Sequence, residues 1–205
     1  VTRAVAWRFR YVSGALLQGL PQNLLIRGKG REMDVKQFIY DKVAMIRQTV
    51  GSGKAINALS GGVDSSVVTA LGHKALGDQL ETVFLDDGLM RDKEPETVAA
   101  TFKPLGVRVR IVDLKDRFFS ALKGIEDPEE KRKAFRDTFY SSFGEIVKSS
   151  GASFLLQGTI KPDIIETTKG VKTQHNILEQ IGIDPESGYG FKVIEPLIDL
   201  FKPGV

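Results

Sequence analysis

The chain has 205 residues, 41% of them hydrophobic and 27% charged, enough apolar surface for one ordinary domain and far from the composition of a disordered chain. It holds no cysteine and only two histidines, His73 and His175, which excludes disulfide scaffolds, thiolate-bound zinc and a cysteine nucleophile. No run approaches the roughly 18 apolar residues that cross a bilayer, and the N-terminus lacks the apolar core and cleavage site of a secretion signal. No membrane partner is expected, and the setting read from the sequence is the cytoplasm.

The net charge of +3 and the pI near 9.0 invite a nucleic-acid reading until the charge is located. Residues 1–32 carry six basic groups (Arg3, Arg8, Arg10, Arg27, Lys29, Arg31) against Glu32 alone, while residues 33–205 carry 23 basic groups against 25 acidic ones. A phosphate-backbone binder carries its positive charge on the folded surface, so nucleic acid is not expected as a partner. The first 32 residues lack a clean helical or strand period and end in Gly28-Lys29-Gly30-Arg31, which reads as a linker. Val1 fits a misassigned start codon, and Met33 is the expected natural start of the domain.

From Met33 the periodicity becomes regular. Phe38, Val43, Ile46 and Val50, with Ile39 and Ala44 beside them, form the apolar stripe of a helix. Short apolar runs then read as buried parallel strands at Ala55–Leu59, Thr82–Leu85, Val107–Val112, Phe154–Gln157 and Lys192–Ile194. Helices are expected at Ser65–Leu76, Pro95–Phe102 and Pro128–Ser149, the last with Asp127 as N-cap and Pro128 at the first helical position. Alternating strands and helices imply right-handed crossovers and an α/β fold, a doubly wound parallel sheet.

Chemistry concentrates where the first of these strands ends, in Ser60-Gly61-Gly62-Val63-Asp64-Ser65-Ser66, with a helix following at once. Ligands of open α/β sheets sit at the carboxyl ends of strands. Gly61 and Gly62 let the backbone turn tightly, and the helix offers unpaired amides and a positive dipole end to an anion. Asp64 fits such a pocket when a cation such as Mg²⁺ bridges it to phosphate. A plain tight turn would also explain two glycines among serines. Gly51-Ser52-Gly53-Lys54 looks like a Walker A fragment, but Ala55 stands where magnesium's Ser/Thr would be and the segment precedes its strand. The dinucleotide pattern G-x-G-x-x-G is absent from the turn.

Further along, Asp163 and Glu166 are three apart beside Pro162. They suit magnesium ligands if their loop folds back, or else a solvated loop. Lys172, in a glycine-flanked loop, suits a cation closing on a phosphate, or an ordinary surface lysine. His175, taken alone, reads more readily as a structural hydrogen-bonder than as a catalyst, and His73 as structural.

Ser60–Ser66 resembles the PP-loop of the N-type ATP pyrophosphatases. Phe84-Leu85-Asp86-Asp87-Gly88-Leu89-Met90-Arg91, Gln157-Gly158-Thr159-Ile160 with Pro162-Asp163-Ile164-Ile165-Glu166, Val171–Asn176 and Val193–Leu197 each resemble segments of the ATP pyrophosphatase domain of GMP synthetase. The resemblance runs over about residues 33–205. It implies an adenine nucleotide alpha-hydrolase-like, Rossmann-like fold and a ligase that uses ATP and Mg²⁺. It implies ATP contacts from Ser60, Gly61, Gly62, Val63, Asp64, Ser65, Ser66, Leu85, Asp86, Arg91, Gln157 and Gly158. Metal ligation would fall to Asp64, Asp163 and Glu166, and catalytic roles to Asp64, Lys172 and His175. The implied reaction adenylates xanthosine monophosphate (XMP), releases pyrophosphate, and lets ammonia from a separate glutamine amidotransferase subunit displace AMP.

Two departures from the family pattern stand out. After Asn176 the sequence reads as a short amphipathic helix over residues 177–183, where the family has a Gly-Gly-Leu-Pro turn. The family's C-terminal dimerisation domain would follow Val205, in a longer protein of which this chain is a fragment, or be missing from a reduced one. A homodimer is expected only with that domain, and the 205-residue chain is expected to be inactive or feeble alone. Competing readings are a relative of NAD synthetase, a tRNA thiolation enzyme (disfavoured by the missing cysteines) and a non-catalytic ATP-binding module.

Overall fold

The computed structural model describes residues 25–28, 31–163, 192–201 and 205. Strands β1 (Leu25–Gly28) and β2 (Arg31–Asp34) form an antiparallel hairpin in which Gly28 faces Arg31, where the sequence suggested a linker. Asp34 then caps helix α1 (Val35–Val50), its Oδ1 accepting from the amides of Lys36 (2.9 Å) and Gln37 (3.1 Å). The apolar stripe read from the sequence is the face that packs inward, with Val43, Ile46 and Val50 buried.

The remaining elements alternate: β3 (Ala55–Ala58), α2 (Val63–Leu76), β4 (Leu80–Asp86), α3 (Glu94–Phe102), β5 (Val109–Asp113), α4 (Lys115–Leu122), α5 (Pro128–Ser150), β6 (Phe154–Leu156) and β7 (Lys192–Ile194). Asp127 caps α5 as expected, accepting from the amides of Glu129 and Glu130, both at 2.9 Å. Helix α4 lies outside the elements expected from the sequence; it is only eight residues long, and its apolar stripe of Phe118, Ala121 and Leu122 spans little more than one turn. Val107, read as strand, belongs instead to the turn before β5, its amide donating to the Phe102 carbonyl.

Strands β3 to β7 form one wholly parallel sheet in the order β5-β4-β3-β6-β7. The first strand of the sheet is therefore central, and the chain winds out to one side through β4 and β5 and to the other through β6 and β7. Helices α1, α2 and α3 cover one face: Val43, Ile46, Val68 and Leu71 pack with Leu80 and Leu156, while Val98 and Phe102 pack with Leu59 and Phe84. On the opposite face α5 covers Ile56, Val83 and Leu155 with Phe143, Ile146 and Val147. This is the doubly wound α/β architecture read from the sequence.

Helix α2 sits directly on the sheet. A Cβ at Gly72 would lie 2.6 Å from Leu156 Cδ2 and 2.9 Å from Leu80 Cδ2, so glycine is what lets the helix approach β4 and β6. At its far end the Arg47 guanidinium of α1 donates through Nε to the Ala75 carbonyl (3.1 Å), satisfying one of the carbonyls a helix terminus leaves open.

Candidate active site

The order of the strands puts the reversal of winding between β3 and β6, and ligands of such sheets bind in the crevice at that point, beyond the carboxyl ends. Ser60–Ser66 leaves β3 at this place and Gln157-Gly158 leaves β6 beside it. The two segments touch: a Cβ at Gly158 would lie 3.1 Å from the Asp64 carbonyl carbon and 3.2 Å from the Ser65 nitrogen. A side chain at this position would press on the backbone at the mouth of α2, and glycine lets the β6 loop lie against it.

The turn is built by its own polar groups. Gly61 has φ +73°, the left-handed region where a side chain is strained. Ser65 Oγ lies 3.0 Å from Ser60 Oγ, accepts from the Ser60 amide at 3.3 Å and donates to the Gly62 carbonyl at 3.1 Å. Gly62 is the N-cap of α2 and contributes no capping side chain. The first helical amides, those of Val63, Asp64 and Ser65, precede the repeat of intrahelical bonding and supply donors to an anion. The Ser66 amide already bonds the Gly62 carbonyl (3.1 Å) and its side chain is buried. The hydroxyls of Ser60 and Ser65 thus brace the turn.

The segment after β4 lies at the same end of the sheet. Leu85 is buried in the cluster beneath α5, and Asp86 and Asp87 are buried with it. Asp86 Oδ1 accepts from the Gly88 amide (3.1 Å) and its Oδ2 pairs with Lys115 Nζ (2.9 Å). The hydrogen bond to Asp86, then the negative charge of Asp113, hold the Lys115 ammonium pKa above its ordinary value. The Arg91 side chain is exposed; its amide donates to Glu94 Oε2 (3.0 Å) and its carbonyl accepts from the Glu94 amide (3.0 Å), which closes the turn before α3.

Asp163 and Gln157 are described, and Glu166, Lys172 and His175 lie outside the described residues, as does the helix expected over residues 177–183. Asp163 Oδ2 accepts from the Ile160 amide at 3.1 Å, closing the turn after β6. Gln157 Oε1 is buried and meets no hydrogen-bond donor among the described residues. Thr159 Oγ1 donates to the Glu195 carboxylate, which ties the loop after β6 to the loop after β7. Among the described residues no three His, Asp or Glu side chains gather as a metal cluster. Mg²⁺ asks for less, one or two carboxylates plus phosphate oxygens, and the half-buried Asp64 in the first turn of α2 fits that donor set.

Residues that the sequence reading passed over also shape the site. Asn57, Thr69 and Thr82 form a buried polar group directly behind the turn. Asn57 stood out as the one polar residue in an apolar strand, the available signal. Lys115 carried none, being one lysine among many polar neighbours.

Residues 33–138 match the family model described as NAD synthase. The chain belongs to the NAD synthase family. Within this PP-loop ATP pyrophosphatase family the chain is similar to a subunit of the glutamine-hydrolyzing GMP synthase of Pyrococcus horikoshii, 51% identical over 174 residues that make up 84% of this chain and 55% of that protein. The corresponding subunit of the Archaeoglobus fulgidus GMP synthase is also 51% identical over 174 residues, with the same coverage of each chain. The chain spans about half the length of these relatives. The solved NH3-dependent NAD synthetase of Campylobacter jejuni is similar in fold, with a TM-score of 0.59 at 18% identity over 83% of this chain and 69% of that one. The adenine nucleotide alpha-hydrolase-like fold expected from the sequence is thereby borne out. Among the described residues no helix is long and apolar enough to cross a membrane.

Proposed function

We propose that the chain is the ATP pyrophosphatase part of a GMP synthase, adenylating XMP and handing the activated base to ammonia. The observation that carries this reading is the uncapped mouth of α2 at the winding reversal, walled by Gly158, in a chain about half identical to a GMP synthase subunit. The amides of Val63 to Ser65 would receive the phosphates of ATP, with Gln157, Leu85, Asp86 and Arg91 along the nucleotide. Asp64, Asp163 and Glu166 would hold Mg²⁺, which when bound neutralises phosphate charge and eases the departure of pyrophosphate.

The purine O2 of XMP attacks the α-phosphorus, the α–β bridge breaks, and pyrophosphate leaves. Ammonia then adds to C2, loses one proton to become the amino group, and the C2–O bond breaks to expel AMP. Positioning and charge carry such a step, with little covalent work for the protein. Lys172 would meet charge developing on the α-phosphate, and His175 would sit in the same loop. Ammonia would come from a separate glutamine amidotransferase subunit, dimerisation would fall to sequence matching the remaining half of the relatives, and the reaction belongs in the cytoplasm.

Pyrophosphate release with ATP, Mg²⁺ and ammonia tests this, run on the chain and on a version continued with the C-terminal part of such a relative. Release that requires XMP is expected. Release that requires deamido-NAD instead would move the chain to the NAD synthetases, the reading favoured by the family match and the fold. Nucleotide binding with no acceptor-dependent release would leave a non-catalytic ATP-binding module.

A further inference from the structure

Beneath α2 the core of the helical face is not continuous. One apolar cluster gathers around Val68, Leu71 and Leu156 and another around Leu59, Phe84 and Val98. Between them stand Asn57, Thr69 and Thr82, exposed by 1%, 0% and 1%. Asn57 and Thr82 are partners across the β3–β4 register. Thr82 Oγ1 donates to Asn57 Oδ1 (2.9 Å), Asn57 Nδ2 donates to Thr69 Oγ1 (2.6 Å), and Thr69 Oγ1 donates to the Ser65 carbonyl (2.8 Å).

Apolar residues of the same shape would fill this space at no loss, because burying polar groups brings stability only when each is matched, and then little. What a matched polar chain adds is direction. Apolar contacts allow a helix to slide or turn by a fraction of an ångström, whereas three short hydrogen bonds fix one arrangement. The chain ends on Ser65, whose hydroxyl is the hub of the Ser60–Gly62 turn. Ser65 is thus bonded through its carbonyl to the strands and through its hydroxyl to the turn.

We propose that Asn57, Thr69 and Thr82 are positioning residues that set α2 on β3 and β4 so that the amides of Val63 to Ser65 stand in register to bind a triphosphate. This rests on the nucleotide site proposed above and adds to it the device that aims it. The seam itself touches no ligand.

The test is the triple variant Asn57→Leu/Thr69→Val/Thr82→Val in the full chain. All three partners are removed together, so no orphaned polar side chain remains, and the Ser65 carbonyl keeps its intrahelical bond. The melting temperature should hold or rise. Affinity for adenylyl imidodiphosphate with Mg²⁺, measured by calorimetry, should fall about tenfold, the scale on which sub-ångström misplacement acts. In the free protein, exchange of the Ser66 amide, which bonds the Gly62 carbonyl, should quicken relative to the rest of α2. Thr69→Ser, which keeps the hydroxyl, should bind like the wild type. Unchanged affinity and exchange in a folded triple variant would overturn the positioning role while leaving the nucleotide site standing. A wild type that does not bind the analogue would overturn both. Should the triple variant fail to fold, Thr69→Val alone carries the same expectations in weaker form, and its binding like Thr69→Ser would overturn the proposal.

Discussion

Strand β3 is entered through Gly51-Ser52-Gly53-Lys54 and left through Ser60-Gly61-Gly62, two turns of similar composition whose polar groups meet opposite fates. At the entrance, the Gly51 amide donates to the Arg47 carbonyl (2.9 Å) and the Gly53 amide to the Val50 carbonyl (3.0 Å). Gln79 Nε2 reaches in to donate to both glycine carbonyls, at 3.0 Å and 2.7 Å. The amides and carbonyls of both glycines are thus taken up within the protein. At the exit, the side chains bond one another and a helix begins without a capping side chain. A phosphate site depends on the element that follows the glycines far more than on the glycines themselves.

Substitution at the two turns should therefore separate binding from stability. Gly61→Ala places a Cβ at φ +73° and 3.0 Å from Val98 Cγ2, and should weaken binding of an ATP analogue about 100-fold by calorimetry, as misplaced phosphate donors do. Gly51→Ala, at φ +58° with open space around it, should cost about 1–3 kcal/mol of backbone strain in denaturant unfolding and leave affinity unchanged. Equal losses of affinity would erase the distinction between the turns.

The wall of the exit turn comes next in size. Gly158→Ala must push the β6 loop away from Asp64 and Ser65, and a loss of affinity of about tenfold is expected. Wild-type affinity in that variant would mean the two loops do not form one site. Gln79→Ala leaves the Gly51 and Gly53 carbonyls without their donor and should lower stability by about 1–2 kcal/mol, again with affinity unchanged.

The smallest effect is a control on the opposite face. Arg117 of α4 grips Glu145 of α5 through two hydrogen bonds (2.7 and 2.8 Å), and this hydrogen-bonded contact lowers the Glu145 pKa from its ordinary 4.5. A depressed carboxyl stabilises the fold above its unfolded value and loses that contribution as pH falls through the lower folded one. Melting curves of wild type and Glu145→Gln should differ slightly near neutral pH and converge in acid below 4.5, with no change in nucleotide affinity at any pH. A gap that widens in acid would reverse the assigned sign.

The central strands β3, β4 and β6 were legible because they are largely buried on both faces and read as mainly apolar runs around Ile56, Val83 and Leu155. Helix α4 was hidden because its eight residues hold little more than one turn of apolar period, Phe118 with Ala121 and Leu122. The exit turn was legible from its residues and its place between strand and helix. Its bracing was not, since nothing local marks Ser65 as the partner of Ser60 or sets Thr82 beside Asn57; those pairings arise from strand register. Gly158 was read for its motif, while its reason, contact with the backbone of α2, exists only once β6 lies next to β3.

The central claim is that phosphate enters at the exit of β3. Amide hydrogen exchange with and without adenylyl imidodiphosphate and Mg²⁺ tests it most directly. Protection should concentrate at residues 61–66 and at Gly158, with residues 51–54 unaffected. Protection at residues 51–54, or none at residues 61–66 under saturating analogue, would contradict the account.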